Sequence, residues 1–285
     1  MTSDLEKSLK AKLRSIAQEK KRDPADLWQN LMLERFLVRL SRSSYGSHFI
    51  LKGGLLLAKY IDIGRETRDL DFLARGISNE IERLRLIFEE IAKIDLNDGF
   101  SFTYVTADEL IHPHMEYEGA EITMMAYFGR TRFKVAIDVG FGDIVTAVEK
   151  TFSLVSYSKG PLFEASAKLA CYPAEFIFAE KLETVIHRGA FNSRMKDFHD
   201  LHSLITAASA LEFQNLKTII DSVFEHRGTS LSLPIGYNSD KDMDRIQGYW
   251  KEYLKSLREE ELGKLPLQIS ELLKFINSWL AENIG

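Results

Sequence analysis

The spacing of apolar residues predicts several amphipathic helices in the first part of the chain. Apolar residues recur at every third or fourth position over residues 4–21, which is the helical period. Asp23 followed by Pro24 is typical of a helix start, with a capping carboxylate before the proline, and it opens a second helix that runs to Leu40. Lysines and Arg14 surround the apolar stripe of the first helix, so it is expected to pack one face on the rest of the chain; the alternative is a basic face for an RNA backbone.

A different period predicts strands between the helices. β-Branched and aromatic residues in short runs, separated by glycine, favour strands over residues 49–51, 69–73, 101–106, 115–128 and 131–139. Ser78 is predicted to cap a further helix that ends near Ile94. The alternation of helices and strands predicts an α/β or α+β fold with a small mixed sheet.

The composition shifts after the segment Tyr157 to Pro161, and the rest of the chain is predicted to be mostly helical. Helices are expected directly after Pro173, through Ile186, and over residues 216–224, 243–257 and 272–280. The sequence therefore predicts two domains, residues 1–164 with the sheet and residues 165–285 with helices that close a cleft.

Composition and charge exclude several classes of protein. The 285 residues are 45% hydrophobic and 28% charged, which is ordinary for a globular protein. No apolar run is long enough to cross a bilayer and the first residues lack a signal-peptide core, so a cytoplasmic protein without membrane contact is expected. The single cysteine, Cys171, argues against a disulfide or a cysteine-based metal site. With a formal charge of −5, any RNA contact must be a local basic patch.

The candidate chemistry begins with a strand, a glycine turn and a helix. Lys52 precedes Gly53 and Gly54, and an apolar helical pattern follows directly. Glycine lets backbone N–H groups approach a phosphate closely, and a helix N-terminus favours negative charge. This turn therefore predicts a phosphate-binding site, with Lys52 as a nearby cation.

Carboxylates on two predicted strands indicate a divalent metal. Asp69 and Asp71 share one face of the second strand, because strand side chains alternate between faces. Asp138 interrupts the apolar strand 131–139, so it needs a cation or a hydrogen-bond partner. If the two strands are neighbours, the three carboxylates would hold Mg²⁺ or Mn²⁺; the alternative is a structural Asp138 with a protein partner. Asp143 is interpreted as a turn residue.

Two segments of the chain resemble a known family. The strand, Lys-Gly-Gly turn and helix, followed by Arg65-x-Thr67-x-Asp69-Leu70-Asp71-Phe72, resemble the first motif of the DNA polymerase beta-like nucleotidyltransferases. Within them the chain resembles the AbiEii-like toxins of type IV toxin-antitoxin systems, and residues 179–201 resemble the second signature of that family. The resemblance covers about residues 48–201. It departs where glycine-glycine replaces the glycine-serine of much of the superfamily.

The resemblance implies roles for further residues. Lys181, Arg65, Thr67 and Arg194 would contact the nucleotide, together with the glycine turn. Asp197 or Asp200 would orient Lys181, bind metal or accept a proton. The alternative is that Lys181 forms an ion network with Glu180 and Asp197 at the surface, with little effect on stability.

The implied activity is transfer of a nucleoside monophosphate from an NTP to an acceptor. Members of this family inhibit growth and are neutralised by a separately encoded antitoxin, and related enzymes modify the 3′ end of transfer RNA. The resemblance thus implies an enzyme with NTP as substrate, RNA as acceptor and an antitoxin as partner. Two alternatives stay open: nucleotidylylation of a protein hydroxyl, and a catalytically silent module of the same fold that binds RNA or a partner.

Overall fold

A computed structural model describes residues 2–110, 119–208, 213–237 and 239–284. The chain divides into two compact units, Met1–Leu56 with Glu66–Tyr172 and Leu57–Arg65 with Pro173–Gly285. The short segment Leu57–Arg65 therefore belongs with the second unit, although it lies early in the sequence. We call these unit one and unit two.

Unit one contains a mixed sheet and the helices that cover it. Helices α1 and α2 come first, and α3 and α4 follow the first two strands. Their bounds are Thr2–Glu19, Pro24–Arg42, Gly53–Tyr60 and Ile81–Ala92. Strands β1 to β9 are Phe49–Lys52, Asp69–Ala74, Phe100–Leu110, Gly119–Phe128, Thr131–Gly140, Val148–Ser153, Ser156–Tyr157, Gly160–Pro161 and Ser166–Cys171.

Seven of these strands form one sheet, in the order β3-β4-β5-β2-β1-β9-β6. The pairs β2 with β5 and β1 with β9 are parallel, and the other neighbours are antiparallel. Strands β7 and β8 form a separate pair. The α/β fold with a mixed sheet, predicted from the sequence, is confirmed, and the sheet is larger than expected.

The core of unit one lies on one face of the sheet. Along β4 every second residue is buried, from Ala120 to Phe128, while the residues between them are half-buried. Aromatic rings join this face to the helices: Phe36 of α2 stacks on Phe88 of α4 with ring centroids 6.0 Å apart, and Phe49 of β1 meets Phe88 at 5.0 Å. Most side chains on the opposite face of β4 and β5 are polar, because side chains alternate between the two faces of a strand.

Of two N-caps predicted from the sequence, one is confirmed and the other is wrong. The carboxylate of Asp23 accepts a hydrogen bond from the backbone N–H of Ala25 at 2.7 Å, so Asp23 is the N-cap before Pro24, as predicted. Helix α4 begins instead at Ile81, with Glu80 as N-cap, and the hydroxyl of Ser78 accepts from the N–H of Glu80 at 3.2 Å. The prediction that Ser78 is the N-cap is therefore wrong by two residues.

Every regular element in the described part of unit two is helical. The elements are the second half of α3, then α5 Ala174–Arg188, a 3₁₀ turn Gly189–Phe191, α6 Met195–Thr206, α7 Leu216–His226, α8 Asp240–Lys255, α9 Glu259–Leu262 and α10 Ile269–Asn283. Fully buried side chains such as Phe178, Trp250 and Ile276 form its core. The predicted helices of this region are confirmed, with ends that differ by at most three residues.

Strands β6 and β9 are absent from the sequence analysis. Residues 166–171, assigned there to the helical part, form β9, which pairs with β1 and β6, and Tyr172 ends unit one. The signal was present in β9, because Ala167, Leu169 and Cys171 are buried in alternation with more exposed neighbours. The start of the predicted strand 115–128 lies outside the described residues, which resume at Gly119.

Among the described residues, none of the helices combines the length and the apolar character that a membrane span requires.

Candidate active site

The parallel pairing of β2 with β5 brings two predicted carboxylates together. Asp71 lies directly opposite Asp138, and Asp69 lies opposite Ala136. Residues opposite each other in neighbouring strands project from the same face. Leu70 is fully buried on the other face, whereas the aspartates are only half-buried. Asp69, Asp71 and Asp138 therefore share the polar face of the sheet, with two of them side by side.

This row of polar residues continues across the sheet. Glu121 of β4 lies opposite Asp138, and Asp108 of β3 lies opposite Glu121. On the other side, Lys52 of β1 lies opposite Asp71. Sequence reasoning missed Glu121, although it alternates with the buried positions of β4 and so falls on the polar face. What it lacked was the strand order, which local patterns do not contain.

The glycine turn is packed against Asp71. Gly53 is the first residue of α3 and adopts a φ of +70°, in the left-handed region that favours glycine. A Cβ atom placed on Gly53 would lie 1.9 Å from Oδ2 of Asp71. Gly53 and Gly54 form the start of the helix, where backbone N–H groups have no acceptor within the helix. The predicted phosphate-binding turn and the predicted metal-binding carboxylate are therefore in contact.

Lys52 is held beside these carboxylates by two residues that the sequence analysis did not assign to the site. Its ammonium Nζ donates to Oδ2 of Asp143 at 2.6 Å and lies 3.5 Å from the hydroxyl of Tyr172. That hydroxyl also donates to Asp143, at 3.1 Å. Asp143, interpreted from sequence only as a turn residue, thus fixes the position of a cation. Nothing in its local Gly-rich sequence indicates this, because Lys52 is far away in the chain.

The donor set suits a small divalent cation. Within the described ranges no three His, Cys, Asp or Glu side chains are close enough, as they stand, to hold a metal ion. Mg²⁺, however, is commonly bound by one or two carboxylates that are completed by substrate phosphates and water. Asp71 and Asp138 provide such a pair, and the room beside Asp71 exists only because residue 53 has no side chain.

The other predicted site residues form a buried ion network within unit two. Lys181 Nζ lies 2.9 Å from Oδ1 of Asp197 and 2.6 Å from Oδ2 of Asp200. Arg65 makes a two-point contact with Asp200, at 2.9 and 2.7 Å, and Arg194 contacts Asp197 at 2.9 Å. Asp200 is fully buried and Asp197 nearly so, whereas Arg194 is exposed. A network of this burial differs from the weak surface pairs considered as the alternative.

The network keeps all its members charged. Burial works to lower the pKa of Lys181, but Asp200 and Asp197 outweigh it and the pKa is raised. Burial works to raise the pKa of Asp200, but Lys181 and Arg65 outweigh it, and the pKa lies well below its usual range. The pKa of Asp197 is lowered in the same way by Lys181 and Arg194. Both carboxylates are therefore poor proton acceptors near neutral pH.

A histidine beside this network is neutral. His199 is buried, and its Nδ1 lies 2.8 Å from the hydroxyl of Tyr253. Burial lowers the pKa of His199 to about 4, although the neighbouring Asp200 acts in the opposite direction. The imidazole therefore adds no charge to the network at neutral pH.

Thr67, predicted to contact the nucleotide, is buried in the loop before β2, with 6% of its surface exposed. Its hydroxyl makes no hydrogen bond to the aspartates discussed above in the part of the chain that the structure describes. The contact of Thr67 with the nucleotide therefore stays a prediction.

Solved structures with a similar fold include JHP933 from Helicobacter pylori, with a TM-score of 0.51 and 15% identity over 91% of this chain and 95% of that one. An antigenic nucleotidyltransferase-like protein from Paracoccidioides brasiliensis is 17% identical over 70% of this chain and 89% of that one, with a TM-score of 0.39. None of the curated proteins compared with the chain matches it. The likeness to JHP933 supports a common fold.

The sequence model of one protein family matches most of the chain. The family is described as "Nucleotidyl transferase AbiEii toxin, Type IV TA system", and the match runs over residues 35–268. It includes the glycine turn, the three aspartates of the sheet and the ion network of unit two. The chain is therefore a nucleotidyltransferase and belongs to the AbiEii toxin family of type IV toxin-antitoxin systems.

Proposed function

We propose that this nucleotidyltransferase moves a nucleoside monophosphate from an NTP to the 3′ end of RNA, with transfer RNA as the first candidate, and releases pyrophosphate. The observation that carries the proposal is the register of β2 and β5, which sets Asp71 beside Asp138. The helix start at Gly53 lies against the same carboxylate. The helix start could thus bind the triphosphate, and the carboxylates its cation, in one part of unit one.

In this proposal Asp69, Asp71 and Asp138 hold Mg²⁺ or Mn²⁺. The bound cation would neutralise phosphate charge and lower the pKa of the attacking hydroxyl. The backbone N–H groups of Gly53 and Gly54 donate to phosphate oxygens, because the first turn of a helix has free donors and a favourable dipole. Their role needs no side chain, which fits the two glycines.

Lys52 supplies a further positive charge in this part of unit one. Asp143 and Tyr172 fix its ammonium group in one position. A fixed cation opposite Asp71 offsets part of the repulsion between neighbouring carboxylates.

For unit two we propose that Lys181 and Arg194 offer positive charge to the nucleotide, while Arg65 helps to order the network. Asp197 and Asp200 then act by orienting Lys181, since each contacts it within 2.9 Å. Their lowered pKa values make them unsuited to accept the proton of the acceptor hydroxyl. This interpretation selects the first of the roles left open by the sequence.

The family supports a biological context for this reaction. A toxin of a type IV system implies an antitoxin, which we propose is encoded separately and neutralises the enzyme. NTPs and transfer RNA are abundant in the cytoplasm, and we propose that the reaction takes place there.

The proposal is tested with purified protein, each labelled NTP in turn, Mg²⁺, total RNA and a protein extract. Label that enters RNA of transfer-RNA size, and that is absent with Asp71→Asn, supports it. Label in a polypeptide instead favours nucleotidylylation of a protein hydroxyl. A wild-type protein that transfers nothing, and an Asp71→Asn variant that inhibits growth as strongly as the wild type, would indicate a catalytically silent binding module.

A further inference from the structure

One aromatic side chain of unit two is exposed to solvent on a turn that is followed by a buried residue. The ring of Phe191, at the end of the 3₁₀ turn between α5 and α6, is 80% exposed. The next residue, Asn192, is fully buried, and its side-chain oxygen accepts from the backbone N–H of Arg194 at 2.9 Å. The backbone is thus fixed on one side of an exposed ring.

A guanidinium group already lies on Phe191. The guanidinium carbon of Arg245, on α8, lies 4.8 Å from the ring centroid. The same guanidinium donates to the carbonyl of Ala190 at 3.5 Å and pairs with Asp242 at 3.1 Å. A cation on an aromatic face is a favourable contact, so ring and guanidinium support each other. With 80% of Phe191 exposed, most of the ring surface stays available to a planar ligand.

The stretches of sequence before and after Phe191 are basic. From Thr184 to Lys196 the chain contains no acidic residue, although the whole protein has a formal charge of −5. The side chains of Arg188 and Lys196 make no hydrogen bond or ion pair with the described residues, and Arg194 is exposed while its Nε contacts buried Asp197. We call Phe191 and Arg245, together with Arg188, Arg194 and Lys196, the Phe191 platform.

We propose that the Phe191 platform binds a single-stranded segment of the RNA acceptor, with a base stacked on Phe191 and phosphates near Arg188 and Lys196. The inference rests on the proposed function and extends it to a recognition surface. An exposed aromatic ring among basic side chains matches how proteins hold single-stranded nucleic acid. An acidic protein partner would use the cations alone and would gain little from the ring.

The test measures direct binding of a short fluorescent single-stranded RNA with the sequence of a transfer RNA 3′ end. Phe191→Ala is expected to weaken binding by roughly tenfold or more, and Phe191→Trp to retain it, because any aromatic face can stack a base. Leu267→Ala is the matched control, since Leu267 is also in unit two, is 64% exposed and is apolar but not aromatic. It should bind as the wild type does. Arg188→Ala with Lys196→Ala should flatten the salt dependence of binding.

Kinetics separate this inference from the proposed function. Phe191→Ala should raise the KM for RNA and leave the KM for NTP unchanged. A wild-type protein that binds the RNA but transfers no nucleotide refutes the proposed reaction and leaves the platform intact. Equal RNA affinity of the wild type and Phe191→Ala, or no RNA binding at all, overturns the inference. So does a Phe191→Ala protein with normal RNA affinity that escapes neutralisation by the antitoxin, because the surface would then belong to a protein partner.

Discussion

Replacement of Gly53 by alanine should move Asp71 and cost activity far more than stability. The new Cβ would lie 1.9 Å from Oδ2 of Asp71, and contacts below 3.0 Å do not persist, so the carboxylate must retreat by about 1 Å. A displacement of about 1 Å at a reacting centre can reduce the rate by about 100-fold. The backbone strain of alanine at φ +70° adds a loss of about 1–2 kcal/mol in the free energy of unfolding.

Gly76→Ala provides a matched control for this variant. Gly76 lies in unit one with a φ of +65°, and a Cβ there would come no closer than 3.6 Å to another residue, at Nδ1 of His48. It therefore reproduces the backbone strain without touching Asp71. Its stability should fall by a similar amount while its activity stays within about twofold of the wild type.

The assay for both variants is the initial rate of labelled nucleotide transfer to RNA, together with thermal denaturation and growth inhibition on expression. The expected result is a similar stability loss for both variants and a rate loss confined to Gly53→Ala. If Gly53→Ala keeps the rate of Gly76→Ala, the contact between the turn and Asp71 does not position the carboxylate. The reasoning would then be refuted, even if both proteins fold.

Three further predictions concern the carboxylates and the buried histidine. Asp138→Asn should reduce nucleotide transfer and Mn²⁺ affinity by more than about 100-fold. Loss of a residue that only supports a metal ligand costs at most about 100-fold, so a larger loss indicates a direct ligand. Asp200→Asn should cost about 3–5 kcal/mol in the free energy of unfolding, measured in urea, because Lys181 and Arg65 lose a buried counterion. The folded pKa of His199, about 4, lies below its unfolded value of 6.5, so stability should fall by roughly 3 kcal/mol as the pH drops from 6.5 to 4, and His199→Gln should remove most of this loss.

Each of these has a result that contradicts it. Unchanged Mn²⁺ affinity in Asp138→Asn would separate this residue from the metal. Glu149→Gln, which breaks an exposed pair with Lys168, should cost at most about 1 kcal/mol, and an equal loss in Asp200→Asn would refute the buried-counterion argument. A full pH-dependent loss in His199→Gln would assign it to other groups. Asp197 and Asp200 are not such groups, because carboxylates with lowered pKa values lose their stabilisation only below about pH 4.

Local sequence patterns were sufficient to predict most helices and the strand that carries Asp69 and Asp71. The helical period of α2 and α4 and the alternation around Asp69 and Asp71 depend only on neighbours in the chain, so the sequence predicts them directly. The glycine turn was recognisable because a positive φ and a close backbone approach both exclude larger residues at Gly53.

The rest depends on pairing between distant segments, which a single sequence does not specify. The position of Asp138 beside Asp71 follows from the parallel pairing of β2 with β5, and that pairing also brings Glu121 into the row. The contact of Asp143 with Lys52 joins residues 91 positions apart. Strand β6 was missed because polar residues occupy four of its six positions, and β9 because its alternation of buried residues extends over only six positions.

The assignment of Leu57–Arg65 to unit two limits how this protein can be divided. The chain passes between the two units after Leu56, after Arg65 and after Tyr172, so one cut cannot release either of them whole. A fragment that starts at Pro173 would contain Asp200 without Arg65, its two-point partner, and would be expected to fold poorly. A recombination event that replaces unit two must therefore also replace Leu57–Arg65, which is encoded inside unit one. This requirement favours inheritance of the two units together.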